Sequence, residues 1–333
     1  MVRAAVRLAA SFHVRPLIIG LSVVALGSSA PQMAVSLQAA FNAAPDIAVG
    51  SVFGSNIFNV LVTLGLCALI IPLRVSRQLV RLDIPLMIAA SALVYALALN
   101  QTIGRLEGAV LLAGLVGYCY LLVRQSRHHG RPHGRAHAAP RSGHAPWLST
   151  VLLAAAGLGL LIWAGHLILD AAVELATDYG FSDRIIGLTI VAVCTSLPEL
   201  ATSLIAAIRG EREIAVGNVV GSNLFNLLGV LGLTAVVAPA PLSVSPNALA
   251  FDLPVMLGVA VLCLPLFYSG YRITRAEGLV LLGLFTAYGL HVITFTTGMA
   301  LAGRLEHLML FYVLPVLALF VLLSTLHAWR RQH

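Results

Sequence analysis

Hydroxyl, amide and carboxylate side chains recur at helical spacing inside two apolar stretches of this chain. Ser28 and Gln32 are four residues apart, as are Thr195 and Glu199, Ser55 and Asn59, and Ser222 and Asn226. Residues four apart share one helix face, so each pair aims its oxygens in a common direction. Oxygen donors of this kind suit hard cations such as Na⁺ and Ca²⁺. Pro31 and Pro198 directly precede Gln32 and Glu199. A proline inside a helix removes a backbone hydrogen bond, and the expectation is that upstream carbonyls, such as those of Ala25 and Ala192, are freed to face an ion. A lone proline would be read as a packing kink. Two at equivalent places, each beside hydroxyls, point to a site.

These pairs sit in a duplication. Residues 20–66 and 187–233 align without a gap at an offset of 167, and 25 of the 47 positions are identical. The identities include Ser29/Ser196, Pro31/Pro198, Gly50/Gly217, Gly54/Gly221, Ser55/Ser222, Asn56/Asn223 and Asn59/Asn226. A duplicated apolar scaffold would not need these polar residues, because a polar group in a bilayer is costly and is kept for a task. Paired repeats with internal proline and glycine are the pattern of a secondary transporter. The glycines leave room for close helix approach.

The whole chain is a membrane protein in composition. Of its 333 residues, 59% are apolar and 10% charged, and its mean hydropathy is +0.95. The net charge of +7 is carried by arginine alone. The arginines lie in short gaps between apolar runs, where they orient a chain in a bilayer; with no aromatic platform or basic groove, nucleic-acid binding is excluded. Cys67, Cys119, Cys194 and Cys263 are isolated within apolar runs and read as packing residues, not a disulfide framework or a zinc site. The basic N-terminus is followed by no small-residue cleavage pattern, so no cleaved signal peptide is expected.

Spans of about 20 apolar residues fall at roughly 15–42, 45–72, 81–99, 105–124, 147–176, 182–209, 212–240, 247–268, 274–296 and 305–329. With the first arginines on the cytoplasmic side, alternation puts seventeen of the twenty arginines there, leaving only Arg105, Arg184 and Arg304 outside. The two repeats then enter the membrane from opposite faces, which is the inverted-repeat plan.

The halves stay related outside the repeats. Asp83-Ile84-Pro85 matches Asp252-Leu253-Pro254, and Arg105-Leu106-Glu107-Gly108 matches Arg275-Ala276-Glu277-Gly278. Upstream, Met1 aligns with Ile168, inside a span, so the first half keeps only the end of a leading helix, read as the mark of a start downstream of the true one. The divisions are 1–124, a first half of four spans; 125–146, a linker; 147–304, a second half of five spans; and 305–333, an added C-terminal helix with a basic tail. The linker carries His128, His129, His133, His137 and His144 among Arg, Gly and Pro. Metal binding or pH sensing is conceivable, but the composition buries no apolar surface and reads as a solvated cytoplasmic segment. His166 is read as a packing residue, and Asp170, Glu174, Asp178 and Asp183 as a solvated helix end.

The stretches GSSAPQM…GSVFGSNIFN and CTSLPEL…GNVVGSNLFN resemble the two α-repeats of the sodium/calcium exchanger family, within the cation:calcium antiporter superfamily. The resemblance implies an all-α, ten-helix, inverted-repeat membrane bundle that exchanges Ca²⁺ for Na⁺ or H⁺ by alternating access. It implies ion ligands at Ser28, Ser29, Gln32, Ser55 and Asn59, and at Thr195, Ser196, Glu199, Ser222 and Asn226. The family usually has Glu at the position of Gln32. Glu199 is therefore the one carboxylate placed in the site, which weakens the case for a divalent ion and makes a monovalent cation/H⁺ exchanger, or a transport-impaired protein, the alternative. An H⁺ coupling ion would ride on Glu199.

No nucleotide motif is present, so the expected partners are the transported cations and the lipid bilayer, with no cofactor, nucleotide or nucleic acid. An intramembrane hydrolase is disfavoured because no nucleophile, base and orienting acid share a face. The expected location is a bacterial inner membrane, with the linker and the C-terminus cytoplasmic.

Overall fold

The computed structural model describes residues 16–42, 44–128, 190–268 and 270–296, with scattered helical positions between 152 and 174. The linker beyond His128, the expected span at 305–329, most of the span at 147–176, and His166, Asp170, Asp178 and Asp183 lie outside the described residues. Glu174 is helical and exposed.

In the first half, helix α1 (Leu17–Ser28) meets α2 (Ala30–Phe41) at a bend of 40°. They are followed by α3 (Pro45–Ile70) and α4 (Leu79–Asn100), and by α5 (Arg105–His128). In the second half come α6 (Ala192–Ile208), α7 (Arg212–Val237) and α8 (Ala248–Tyr268), and α9 (Arg275–Thr296). Helices α3, α4, α5, α7, α8 and α9 are each long and apolar enough to cross a membrane, and the bent pair adds one more. Helix α5 runs to His128, so the start of the stretch read as linker continues the helix.

Helix ends follow from local chemistry. Pro45 opens α3 in its first turn with Asp46 beside it, where a proline's missing N–H and an acidic charge both suit a helix N-terminus. At the start of α9 the Thr274 N–H donates to Glu277 Oε2 at 2.7 Å while the Glu277 N–H donates to Thr274 Oγ1 at 3.3 Å, a reciprocal capping box. Its counterpart before α5 has Gly104 and keeps one of the two bonds, Gly104 N–H to Glu107 Oε2 at 3.0 Å.

Two short antiparallel strand pairs tie the halves together. Strand β1 (Leu73–Arg74) pairs with β4 (Arg272–Ile273), and β2 (Thr102–Ile103) pairs with β3 (Leu242–Ser243). Since α4 runs from β1 to β2 and α8 runs from β3 to β4, the two helices point in opposite directions. The same logic makes α3 and α7 antiparallel, so the repeats are inverted.

The interior is built on α3 and α7, which are largely buried, whereas the peripheral α5 and α9 are mostly exposed. Glycine permits the close crossings. A Cβ on Gly221 would lie 2.7 Å from the Leu21 carbonyl of α1, a distance at which backbone must move. Gly65 and Gly278 bring α3 against α9, and their counterparts Gly232 and Gly108 bring α7 against α5, each with the partner's carbonyl within 3.2 Å of where a Cβ would stand. Equivalent π-helical turns interrupt α3 at Asn59–Leu64 and α7 at Phe225–Val230. Such wide turns concentrate at functional positions.

Candidate cation site

Helices α1, α2, α3, α6 and α7 bury every sequence-predicted site residue between the two repeats, most of them in small hydrogen-bonded clusters. Ser28, Ser29, Gln32, Ser55, Asn59, Thr195, Ser196, Glu199, Ser222 and Asn226 are all at most 3% exposed, and Ala25 and Ala192 are buried with them. The contacts cross between repeats in a pseudo-twofold pattern. Ser28 Oγ lies 3.2 Å from Ser222 Oγ, and the equivalent Thr195 Oγ1 lies 3.3 Å from Ser55 Oγ.

The asparagines form the most regular part. Asn56 Nδ2 donates to the Asn223 backbone carbonyl at 3.3 Å and Asn223 Nδ2 returns the bond to the Asn56 carbonyl at 3.2 Å. Asn59 Nδ2 donates to Asn223 Oδ1, and Asn226 Nδ2 to Asn56 Oδ1, both at 3.1 Å. These donations fix the amide orientations. With its nitrogen committed, each of Asn59 and Asn226 is left with a buried Oδ1 that has no hydrogen-bond partner.

Glu199 Oε2 and Ser196 Oγ are also buried without a partner, while Glu199 Oε1 accepts from Ser29 Oγ at 3.3 Å. A buried polar atom left unpaired costs about 1–3 kcal/mol, more when charged. Several such acceptors on facing helices are what a cation would satisfy. Among the described residues no group of three or more His, Cys, Asp or Glu gathers in a metal-holding arrangement, so the donor set here is neutral oxygens around one carboxylate.

Gln32 behaves differently. Its Nε2 donates to Ser51 Oγ at 2.9 Å and to Ser36 Oγ at 3.3 Å, and its Oε1 accepts from Ser55 Oγ at 2.9 Å. Both amide hydrogens are used within its own repeat.

The carbonyls of Ala25 and Ala192 are not left empty. Ala25 O accepts the Ser29 N–H at 3.0 Å and lies 3.2 Å from Ser28 Oγ, and Ala192 O lies 3.2 Å from both Ser55 Oγ and Thr195 Oγ1. The reason is register: a proline strips the partner from the carbonyl four residues back, which is that of Gly27 or Cys194. The two prolines also act differently. The first copy bends at Ser29, whereas α6 continues through Pro198. Gly27, which lowers helix propensity by about 1 kcal/mol, sits in the turn that gives way, where the second copy has Cys194.

Sequence reasoning missed six of the buried polar residues: the equivalent Ser36 and Ser203, which accept from Gln32 and Asn218, and four more. Ser51 holds Gln32, and its equivalent Asn218 donates to Ser203 Oγ at 2.9 Å and to the Glu199 carbonyl at 3.3 Å, with its Oδ1 3.2 Å from Ser28 Oγ. Both stand one helical turn before Ser55 and Ser222, a spacing that could have flagged them. Asn56 and Asn223 were visible as repeat identities without an assigned task.

Comparison with known proteins follows the same lines. The sequence model for "Sodium/calcium exchanger protein" matches residues 1–124 and 149–294. The chain is 40% identical over 287 residues to the putative antiporter CaxA of Alkalimonas amylolytica, covering 84% of this chain and 89% of that one. It is 36% identical to the inner membrane protein YrbG of Escherichia coli strain K12, covering 79% and 81%, and 30% identical to the sodium/calcium exchanger MaX1 of Methanosarcina acetivorans, covering 86% and 91%. Among solved structures it resembles the sodium-calcium exchanger NCX_Mj soaked with Na⁺ and Ca²⁺, with a TM-score of 0.71 and 29% identity over 86% of this chain and 90% of that one.

Proposed function

Because the chain belongs to the sodium/calcium exchanger protein family, a family of antiporters and not of enzymes, we propose that it moves Ca²⁺ in exchange for Na⁺ or H⁺ through the network between its repeats. The observation that carries this reading is the set of buried, unpartnered acceptors, Glu199 Oε2, Asn59 Oδ1, Asn226 Oδ1 and Ser196 Oγ, on helices from both repeats. A dehydrated hard cation needs such oxygens in place of water. The unpaired oxygens in turn need a cation or a proton.

Alternating access follows from the inverted repeats, since rocking one repeat against the other opens the same site to either face. Competition supplies the coupling. Ca²⁺, Na⁺ and H⁺ would contend for one carboxylate, Glu199, so one ion leaves before the next is carried back. Gln32 favours a second reading. It is neutral and its hydrogens are spent on Ser36 and Ser51, so at most one negative charge, that of ionised Glu199, faces the ion, a balance suited to a monovalent cation exchanged for H⁺. The likeness to the inner membrane protein YrbG supports a bacterial inner-membrane location, and the arginine distribution supports an orientation with residues 125–146 and the C-terminus cytoplasmic.

The deciding experiment is flux in proteoliposomes. Vesicles loaded with ⁴⁵Ca²⁺ or with ²²Na⁺ are diluted into an opposing Na⁺ or H⁺ gradient. Gradient-driven ⁴⁵Ca²⁺ release that Glu199→Gln abolishes supports Ca²⁺ exchange. Release of ²²Na⁺ alone supports the monovalent reading, and flux indifferent to Glu199→Gln removes this site from the mechanism.

A further inference from the structure

The two strand pairs are equivalent in the fold and opposite in chemistry. In the β1·β4 ribbon, Arg74 stands directly across from Arg272, and both are exposed. Residues directly opposite on an antiparallel pair share a face with their Cβ atoms about 5 Å apart, and like charges there repel. In the β2·β3 ribbon the corresponding pair is Thr102 and Ser243. That ribbon forms with no charged side chain of its own in the pair, although Ser243 Oγ donates to Asp46 Oδ1 of α3 at 2.7 Å. The arginines of its counterpart are therefore not required for the ribbon to form.

Further arginines converge on the charged ribbon. Arg77 is exposed, and its guanidinium carbon lies 5.6 Å from the centre of the Tyr271 ring, which aligns that side chain beside the ribbon. Tyr271 adopts a φ of 54°, a left-handed conformation that is uncommon for a bulky residue; its N–H and carbonyl sit at the corner where Val75 N–H donates to Tyr271 O at 2.9 Å. Arg275, exposed at the first turn of α9, reaches the Ile70 carbonyl at 3.4 Å. The nearby Glu277 carboxylate is spent on the Thr274 N–H and hydroxyl. Among the described residues none of these four guanidiniums has an ion-pair partner.

The ribbon's level is set by the helices it joins. β1 lies between the ends of α3 and α4, and β4 between the ends of α8 and α9, all four long enough to cross a bilayer. The cluster thus stands where apolar spans end and phosphate headgroups begin.

We propose that Arg74 and Arg272, flanked by Arg77 and Arg275, form a binding site for the phosphate of an anionic membrane lipid. Guanidinium groups grip phosphate oxygens in bidentate fashion. An anion between Arg74 and Arg272 turns their mutual repulsion into shared attraction. The lipid's acyl chains would lie along the peripheral α9, whose apolar face is exposed at Leu279 and Leu290, and would join the two halves on this side of the membrane.

The test uses purified full-length protein in a neutral detergent, titrated with phosphatidylglycerol, phosphatidylcholine or inorganic phosphate while thermal unfolding is followed. Phosphatidylglycerol should raise the unfolding temperature of the unmodified protein, and the other two should not. In Arg74→Ala/Arg272→Ala the apparent affinity for phosphatidylglycerol should fall about fivefold per arginine removed, while Thr102→Ala at the equivalent place in the other ribbon should respond like the unmodified protein. An unchanged phosphatidylglycerol response in the double arginine variant, or no response in the unmodified protein, overturns the site. A shift reproduced by inorganic phosphate overturns its assignment to lipid.

Discussion

Gln32 and Glu199 occupy equivalent positions one residue after equivalent prolines, yet the two repeats hold them in opposite ways. Gln32 is turned into its own repeat, where Ser36, Ser51 and Ser55 take up its amide. Glu199 reaches across to the other repeat, accepting from Ser29 and keeping Oε2 unpaired. The counterpart contact, Ser196 to Gln32, is not made, and Ser196 Oγ stays without a partner. An amide carries donors and can be satisfied by nearby serine oxygens. An ionised carboxylate has none to give, and Glu199 Oε2 is left unpaired. The two similar faces differ by an amide against a carboxyl, and the one ionisable group of the pair stands in the second repeat.

The most severe way to break this asymmetry is Glu199→Gln, which leaves no carboxylate in the network. A unit charge about 4 Å from a cation is worth about 4 kcal/mol at an effective dielectric of 20, so gradient-driven cation flux should fall at least about 100-fold in proteoliposomes. The comparison is sharpened by transposing the charge. Gln32→Glu combined with Glu199→Gln should recover part of the flux, because Ser51 and Ser55 can donate to a carboxylate at position 32. No recovery would mean that the two repeats are not interchangeable around the ion.

Gln32→Glu alone should then add a second negative charge and tighten Ca²⁺ binding about tenfold relative to Na⁺, given that each 1.4 kcal/mol is a factor of ten. Competition of unlabelled Ca²⁺ against ²²Na⁺ flux reads this directly. An unchanged ratio would show that position 32 does not sense the ion's charge.

Much of this was legible before any coordinates, and what was not has a physical reason. Inverted halves could be read because polar identities, span lengths and arginine placement are all one-dimensional signals. The role of Ser51 could not. Its partner Gln32 lies 19 residues away on another helix, and spacing reports faces within a helix but not contacts between helices. The unequal effect of Pro31 and Pro198 was hidden for a similar reason, since the outcome depends on the turn before each proline as well as on the proline. The lower span edges were read closely, at 45 for α3 and 105 for α5, because Pro45 and the Arg105-x-Glu107 start are local signals; the extension of α5 to His128 was not, because polarity was taken as the end of the helix.

Ser51→Ala tests whether the hold on Gln32 matters. It strands one buried amide hydrogen, which costs about 1–3 kcal/mol, or lets the amide turn its nitrogen towards the ion. In the first case the unfolding temperature drops with little change in cation affinity. In the second the half-saturating cation concentration rises several-fold. Neither change would show that Ser51 is incidental to the asymmetry.

The smallest effect concerns a matched pair outside the network. In α9 the Tyr288 hydroxyl donates to Asp252 Oδ1 at 2.9 Å. Its counterpart in α5, Tyr118, is buried near Asp83, but its hydroxyl has no hydrogen-bond partner. Removing each hydroxyl should therefore have opposite signs. Tyr288→Phe loses a bond to a charged or polar acceptor and should destabilise by about 1–2 kcal/mol. Tyr118→Phe removes an unsatisfied buried group and should be neutral or stabilising by up to about 1 kcal/mol. Thermal unfolding of both variants in one detergent settles the matter. Equal losses would mean that Tyr118 and Asp83 also engage, and that the two peripheral helices are fastened alike even though the centre of the molecule is not.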